Sequence, residues 1–438
     1  MYDPSENDLR FAIQNTIGLD QISHLDAFSD VSPDLVDAVL SEAAKIAREE
    51  LAPCNNAGDI QGSKWNSDFS VTTPDGFKQA HNALAAGGWY GIEIAEEFGG
   101  QALPHLISAA VGEMFHSANM GFSLCHLLTQ GLTHALTVSA SQEQKEKFLP
   151  PMAEGRWTGT MNLTEPQAGT DLAAIKSTAV KEGDHYRIKG QKIFITYGEH
   201  DMAENIVHLV LARAEGAPDG VNGISVFIVP KFLVNDDGSL GERNDVKCVS
   251  IEHKLGINGS PTSVLQFGED KGAIGYLVGE ENQGLKIMFG MMNHARFGEG
   301  TTAIQANDLM FRKTLRDGGK GVNGLLAEIQ SDANAASKHD DAKIANAAAD
   351  VLRGVTTAQR AVEFILSNTL STREAAAVGV PYLMMMGTLA GGWMSLKSAI
   401  AAKDNVRPWD QTFRIPKCAG AGFKTHPARG RKICRDHS

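Results

Sequence analysis

Apolar residues recur at spacings of three and four through most of the first 156 positions, the period of helices with one face turned inward. Pro33 to Leu51 is the clearest case: Leu35, Val36, Val39, Leu40, Ala43 and Ile46 share one face behind the cap signal Asp30-Val31-Ser32. Similar patterns recur around residues 76 to 86, 105 to 118 and 124 to 138. Among them Glu96-Glu97-Phe98-Gly99-Gly100 reads as a loop whose glycines supply positive φ or a close backbone approach. From about Trp157 the texture changes to short β-rich runs: Tyr186 to Ile188, Ile193 to Thr196, Ile206 to Ala212, Ile224 to Pro230, Val246 to Ile251, Ser263 to Phe267 and Ile274 to Val278. After Gly284 the helical period returns. Within Asp340 to Ser371, the positions Ile344, Ala348, Val351, Val355, Ala358, Val362 and Ile365 alternate spacings of four and three, which draws one continuous seam. Leu325 to Ala336 and Val380 to Ala402 supply partners for that seam in a small antiparallel bundle.

These periods predict an α+β chain: a helical domain over 1–156, a central antiparallel β-barrel or sandwich over 157–287, and a helical bundle over 288–411. Residues 412–438 break the pattern with a basic stretch that reads as disordered. Forty basic residues against fifty-two acidic ones give a net charge of −12, which argues against nucleic acid as a general partner. Five scattered cysteines form no CxxC pair, so the sequence predicts neither a disulfide framework nor a cysteine metal site, and it fits a reducing cytoplasm. The apolar run Val380 to Met394 is shorter than the ~20 residues of a membrane span, so no membrane is expected. The pairs His126/His134 and His200/His208 lack the spacing of a metal motif and read as packed or surface histidines, leaving no metal site predicted.

Chemistry concentrates in two segments. Leu163-Thr164-Glu165-Pro166-Gln167-Ala168-Gly169-Thr170-Asp171 is followed, a strand's distance on, by Gly190-Gln191-Lys192-Ile193-Phe194-Ile195-Thr196. Together they resemble the two flavin-contacting segments of acyl-CoA dehydrogenases. Ile195 to Asp201, Ser250 to Gly256 and Asn307 to Met310 resemble the branch of that family acting on 3-methylmercaptopropionyl-CoA in dimethylsulfoniopropionate breakdown. The resemblance implies FAD as cofactor, an acyl-CoA thioester as substrate, an acceptor such as electron-transfer flavoprotein, and a homo-oligomer. It implies that Thr164 and Thr196 hydrogen-bond the flavin edge while Met161, Leu163 and Phe194 cover the ring. Phe194 stands where the family commonly has tryptophan. Thr170 is implied near the CoA phosphates. Physically, an isoalloxazine needs preorganised donors along the edge that gains charge and apolar cover on one face. Taken singly, strand threonines and phenylalanines serve sheet packing equally well.

A third segment joins two pieces end to end. Met-Met-Asn-His-Ala-Arg, ending at Arg296, resembles the start of the family's carboxyl-terminal helical domain, and Arg296 is implied in substrate binding. Glu-Gly-Thr-Thr-Ala-Ile-Gln, from Glu299, resembles the segment that carries the catalytic glutamate, with Thr301 at the FAD. Such a glutamate removes the α proton while a β hydride leaves, so it must face the flavin across the substrate. Gly298-Glu-Gly-Thr-Thr-Ala303 also fits a dinucleotide-loop pattern, but no strand precedes it and no βαβ unit surrounds it. In the family three long helices separate these pieces, whereas here only Phe297 and Gly298 do. The bundle is therefore expected to be truncated. Three readings stay open: an active enzyme with a compacted bundle, a protein that binds CoA esters or partners without oxidising them, and the product of an internally deleted gene.

Overall fold

A computed structural model of the chain describes residues 2–295, 305–306, 308–367 and 370–405. They group into two compact units: one comprises residues up to Arg10 and from Leu19 through Ala295, the other Phe11–Gly18 and the helices from Asp308 onward. The basic stretch from 412 lies outside the described residues.

The first unit begins with helices. In α1 (Pro33–Ile46) the Ser32 side chain accepts from Leu35 N–H at 3.2 Å, and Pro33 occupies the first turn, where no donor is missed. The buried stripe is Val36, Leu40, Ala43 and Ala44, so Leu35, expected inward, is instead exposed. A wide turn, Ala47–Leu51, carries the helix into α2 (Ala52–Gln61), and α3 spans Phe77–Ala86. The next helices are α4 (His105–Ala118), α5 (Met120–Ser139) and α6 (Gln142–Ala153). In α5 nearly every position from Gly121 to Leu136 is buried, the composition of a helix enclosed on all sides. The periodicity around residues 124 to 138 did not register α6, whose last turns carry Pro150 and Pro151 and whose start is a capping box of Ser141 and Gln144.

An eight-stranded sheet follows: β1 (Trp157–Asn162), β2 (Thr178–Glu182), β3 (His185–Thr196), β4 (Asn205–Ala214), β5 (Ile224–Pro230), β6 (Val246–Ile251), β7 (Thr262–Phe267) and β8 (Ala273–Leu277). Its order is β6-β7-β3-β8-β5-β4-β1, and β2 pairs with both β3 and β4. The strands β3, β8, β5, β4 and β2 each pair with the next, and β2 returns to β3, so these five close a ring. The sheet is mixed rather than wholly antiparallel as expected: β1 and β2 both run parallel to β4. Helix α5 lies on β1, where Thr129 Oγ1 accepts from Gly159 N–H at 3.0 Å. Helix α7 (Gly284–Ala295) packs on α5 so closely that a Cβ at Gly131 would stand 3.3 Å from Met291 Cγ.

The second unit is helical. In α8 (Lys320–Ala336) the buried residues are Val322, Leu326, Ile329, Ala333 and Ala336. In α9 (Ala342–Leu366) all seven residues of the expected seam are buried. Helix α10 runs Thr372–Asn405, well beyond its most apolar run, and turns Tyr382, Met386, Leu389, Trp393 and Leu396 into the same core. By length and composition α10 is long and apolar enough to cross a membrane, which the shorter apolar run had not suggested.

Candidate functional site

Strand β1 ends at Asn162 and feeds a tight turn in which Glu165 and Ala168 exchange both backbone bonds at 3.0 Å around Pro166-Gln167. The Glu165 side chain is 3% exposed and fully satisfied. One oxygen accepts from Lys192 Nζ at 2.8 Å and Ser177 N–H at 3.1 Å, the other from Lys176 N–H at 2.7 Å and the Gln167 amide at 2.5 Å. Burial opposes the charge, but Lys192 and these donors outweigh it and hold the carboxyl below its usual range. Lys192 has no exposed surface, and burial pulls it down to about 8 against the restoring pull of Glu165. A buried pair this well bonded stays ionised, because neutralising either partner strands the other.

The same lysine joins the two sequence motifs. Lys192 Nζ donates to the Leu163 carbonyl at 3.1 Å, and Ile193 N–H donates to the Thr164 carbonyl at 2.9 Å. Ile193 N–H is available because β3 bulges there: Lys192 pairs with Leu265 and Ile195 with Ser263, so Ile193 and Phe194 together face Val264. The bulge places Phe194 at φ 60° and leaves its side chain 56% exposed. A phenylalanine is rarely held in that region, which costs roughly 1–2 kcal/mol. Tyr197, at φ 53°, ends the strand with its hydroxyl donating to the Gly121 carbonyl at 2.7 Å.

Met161, Leu163, Thr164, Phe194 and Thr196 are thus carried on two segments bonded side by side. Met161 and Leu163 sit partly buried at the margin of the core. Thr164 and Thr196 are half-buried, and neither hydroxyl has a protein partner among the described residues. Free hydroxyls, an apolar margin and an exposed aromatic ring suit a planar group that needs donors along one edge, so these residues fit a flavin. Thr170 lies exposed in the loop before the short turn Leu172–Ala174, which Asp171 caps through Ala173 N–H at 3.1 Å. Arg296, Glu299, Thr301 and the 297–298 junction lie outside the described residues.

Glu165 and Lys192 stood inside the quoted motifs without an assigned role. Their signal was available, since Lys192 falls in the same inward-facing phase of the strand as Tyr186 and Ile188, where a lysine needs a counter-charge. Of the histidine pairs, read as packed or surface residues, three members have hydrogen-bond partners: His126 Nε2 meets the Trp89 carbonyl at 3.0 Å, His200 Nε2 meets Thr158 Oγ1 at 2.9 Å and His208 Nδ1 meets Thr160 Oγ1 at 2.8 Å, all buried. A cavity of about 390 Å³ lies between α4, α5 and α7, with His105, Glu113, His116, Gln130 and His294 on its walls.

Comparison with known proteins adds three family models in chain order. Residues 35–156 match "Acyl-CoA dehydrogenase, N-terminal domain", 160–269 match "Acyl-CoA dehydrogenase, middle domain", and 325–423 match "Acetyl-CoA dehydrogenase C-terminal like". The 3-methylmercaptopropionyl-CoA dehydrogenase of Ruegeria pomeroyi is 43% identical over 315 residues, which are 72% of this chain and 53% of that protein. A butyryl-CoA dehydrogenase of Syntrophomonas wolfei is 39% identical over 306 residues, 68% of this chain and 50% of that protein. The chain therefore spans about half the length of these relatives. A Bacillus anthracis acyl-CoA dehydrogenase solved with FAD shares the fold, with a TM-score of 0.50 and 22% identity over 86% of this chain and 61% of that one.

Proposed function

The chain belongs to the acyl-CoA dehydrogenase family, an FAD-dependent family, and on that footing we propose that it oxidises an acyl-CoA thioester to its enoyl-CoA. The observation that carries this reading is the pair of hydroxyls, Thr164 and Thr196, without partners among the described residues, on segments locked together beside the exposed Phe194. In this reading Thr164 and Thr196 donate to the flavin edge, and Met161, Leu163 and Phe194 cover the ring. Thr301 adds a further contact to FAD. Bound there, FAD supplies the acceptor for a hydride equivalent from the substrate β carbon. Glu299 takes the α proton, while Thr170 and Arg296 bind the CoA ester, Arg296 by the bidentate fork suited to phosphate. The ion pair of Glu165 and Lys192 keeps the two threonines in register, so that little reorganisation is needed as charge develops.

The 43% identity to a 3-methylmercaptopropionyl-CoA dehydrogenase supports that thioester as substrate, with reduced cofactor reoxidised by an electron-transfer flavoprotein. We place the reaction in the cytoplasm, in a homo-oligomer. The purified full-length chain should carry a visible flavin band that 3-methylmercaptopropionyl-CoA bleaches faster than butyryl-CoA. Thr164→Val and Thr196→Val should each weaken FAD retention about tenfold, the effect of leaving one acceptor on the flavin edge without its donor. A colourless chain that still binds acyl-CoA would overturn oxidation in favour of ligand binding alone. Bleaching by butyryl-CoA alone would keep the reaction class and reject the substrate.

A further inference from the structure

We propose that Glu93, His105 and His294 bind one divalent transition-metal ion of the zinc class at the wall of the cavity between α4, α5 and α7. One ligand atom from each of the three residues lies within 4.8 Å of the others, and among the described residues this is the one such group of three. Two imidazoles and a carboxylate suit zinc, cobalt or nickel, whereas magnesium and calcium select all-oxygen sets. The inference is independent of the flavin reading.

The ligands come from three elements far apart in sequence, each separately fixed. Glu93 sits in a loop whose neighbours are clamped, Leu103 N–H donating to the Ile92 carbonyl and Ala102 N–H to the Ile94 carbonyl, both at 2.9 Å. His105 opens α4, and His294 occupies the last turn of α7. His105 Nδ1 already stands 2.8 Å from Glu93 Oε1. Around a tetrahedral ion with bonds near 2.0–2.1 Å, ligand atoms stand roughly 3.3 Å apart. That pair therefore opens by about half an ångström while His294 closes in, a change side-chain rotation supplies.

The surroundings suit a ligand set. His294 stacks on His134 at 5.2 Å and 20°, which fixes its ring plane. The Glu93 carboxylate is hydrogen-bonded by His105 and by Ser108. Ser108 also accepts from the Gln130 amide at 3.2 Å, an outer layer of the kind that orients ligating carboxylates. With three protein ligands, a fourth position is left for water or for an oxygen or sulfur atom of whatever enters the cavity.

Cobalt(II) is the direct probe. Full-length chain stripped with a chelator should take up one equivalent of Co²⁺ with the visible ligand-field absorption of a tetrahedral site, and Zn²⁺ should displace it. His105→Ala and His294→Ala should each remove that absorption and weaken affinity at least tenfold. His24→Ala, at an exposed histidine elsewhere, should leave both unchanged. Glu93→Gln keeps an acceptor for His105 and hence the local fold, yet should also lose the absorption. Absence of stoichiometric binding, or the same cobalt spectrum in wild type and in Glu93→Gln, would overturn the site and leave an ordinary Glu93–His105 hydrogen bond.

Discussion

Phe194 is held at φ 60° with more than half of its surface exposed, an arrangement that folding of the chain alone does not favour. The strain makes sense if the ring is needed as an outward-facing plane. Phe194→Gly separates the two roles. Relief of roughly 1–2 kcal/mol of backbone strain is set against ~0.5–1 kcal/mol of glycine entropy, so apoprotein stability should move by no more than about 1.5 kcal/mol. FAD affinity should fall roughly tenfold, read by fluorescence titration beside urea unfolding of the apoprotein. A stability loss above about 2 kcal/mol with FAD binding intact would instead make Phe194 a packing residue. Individual residues were unevenly legible in the sequence. Gly99 and Gly100 illustrate success: Gly99 takes φ 81°, and a Cβ on Gly100 would stand 2.0 Å from the Ile94 carbonyl oxygen. Leu35 illustrates failure, because the stripe of α1 centres on Val36 and Leu40 and a residue at its edge falls on either side.

At the scale of elements, periodicity reported faces and missed directions. The seam of α9 was readable in full because a regular helix repeats its buried face without reference to any partner. Strands β5 and β6 were bounded as read, yet the parallel pairing of β1 with β4 was not, since alternation encodes which face is buried and not which way a neighbour runs. The bulge in β3 and the bond from Lys192 to Glu165, 27 positions apart, are tertiary facts with no linear spacing. That ion pair locks the turn after β1 to β3, and its removal is asymmetric. Lys192→Met leaves the Glu165 carboxylate buried without a counter-charge and should cost about 3–5 kcal/mol in denaturant unfolding. Adding Glu165→Gln should recover a substantial part, because the neutral amide carbonyl still accepts from the Ser177 or Lys176 N–H. FAD affinity should fall in the single variant in step with stability, since the Leu163 carbonyl loses its anchor. A single variant within about 1 kcal/mol of wild type would show that the pair does not hold the turn.

For the whole molecule, family membership was legible from two motifs, whereas the fate of the seam at 297–298 rests on residues outside those described. What the first unit does reveal is an unusual store of buried neutral histidines. Burial lowers His81 and His126 to about 4 and His208 to about 3, against an ordinary 6.5. In the unfolded chain all three take up protons as the pH falls below about 6.5, while the folded chain does not until about 4. Their contribution is therefore fully present above 6.5 and is lost on acidification toward the folded values. These three alone, at ~1.4 kcal/mol per pH unit each, give a slope near 4 kcal/mol per pH unit around pH 5, to which His116, His200 and His294, also lowered by burial, add; this is large against the 5–15 kcal/mol typical of a domain. His105 shifts the other way through Glu93 and offsets part of this slope near 6.5, where its unfolded ring is still taking up a proton, but none of it toward pH 5. The carboxylates Glu93 and Glu165, both held low, add their loss only below about 4.5. The window from pH 6.5 to 5 thus isolates the histidines. Urea midpoints of the full-length chain measured across it should fall steeply, and His81→Gln, which keeps a partner for the Tyr90 hydroxyl, should reduce the slope by one ring's share, ~1.4 kcal/mol per pH unit. A flat profile over that window would mean that these rings already gain protons in the folded state.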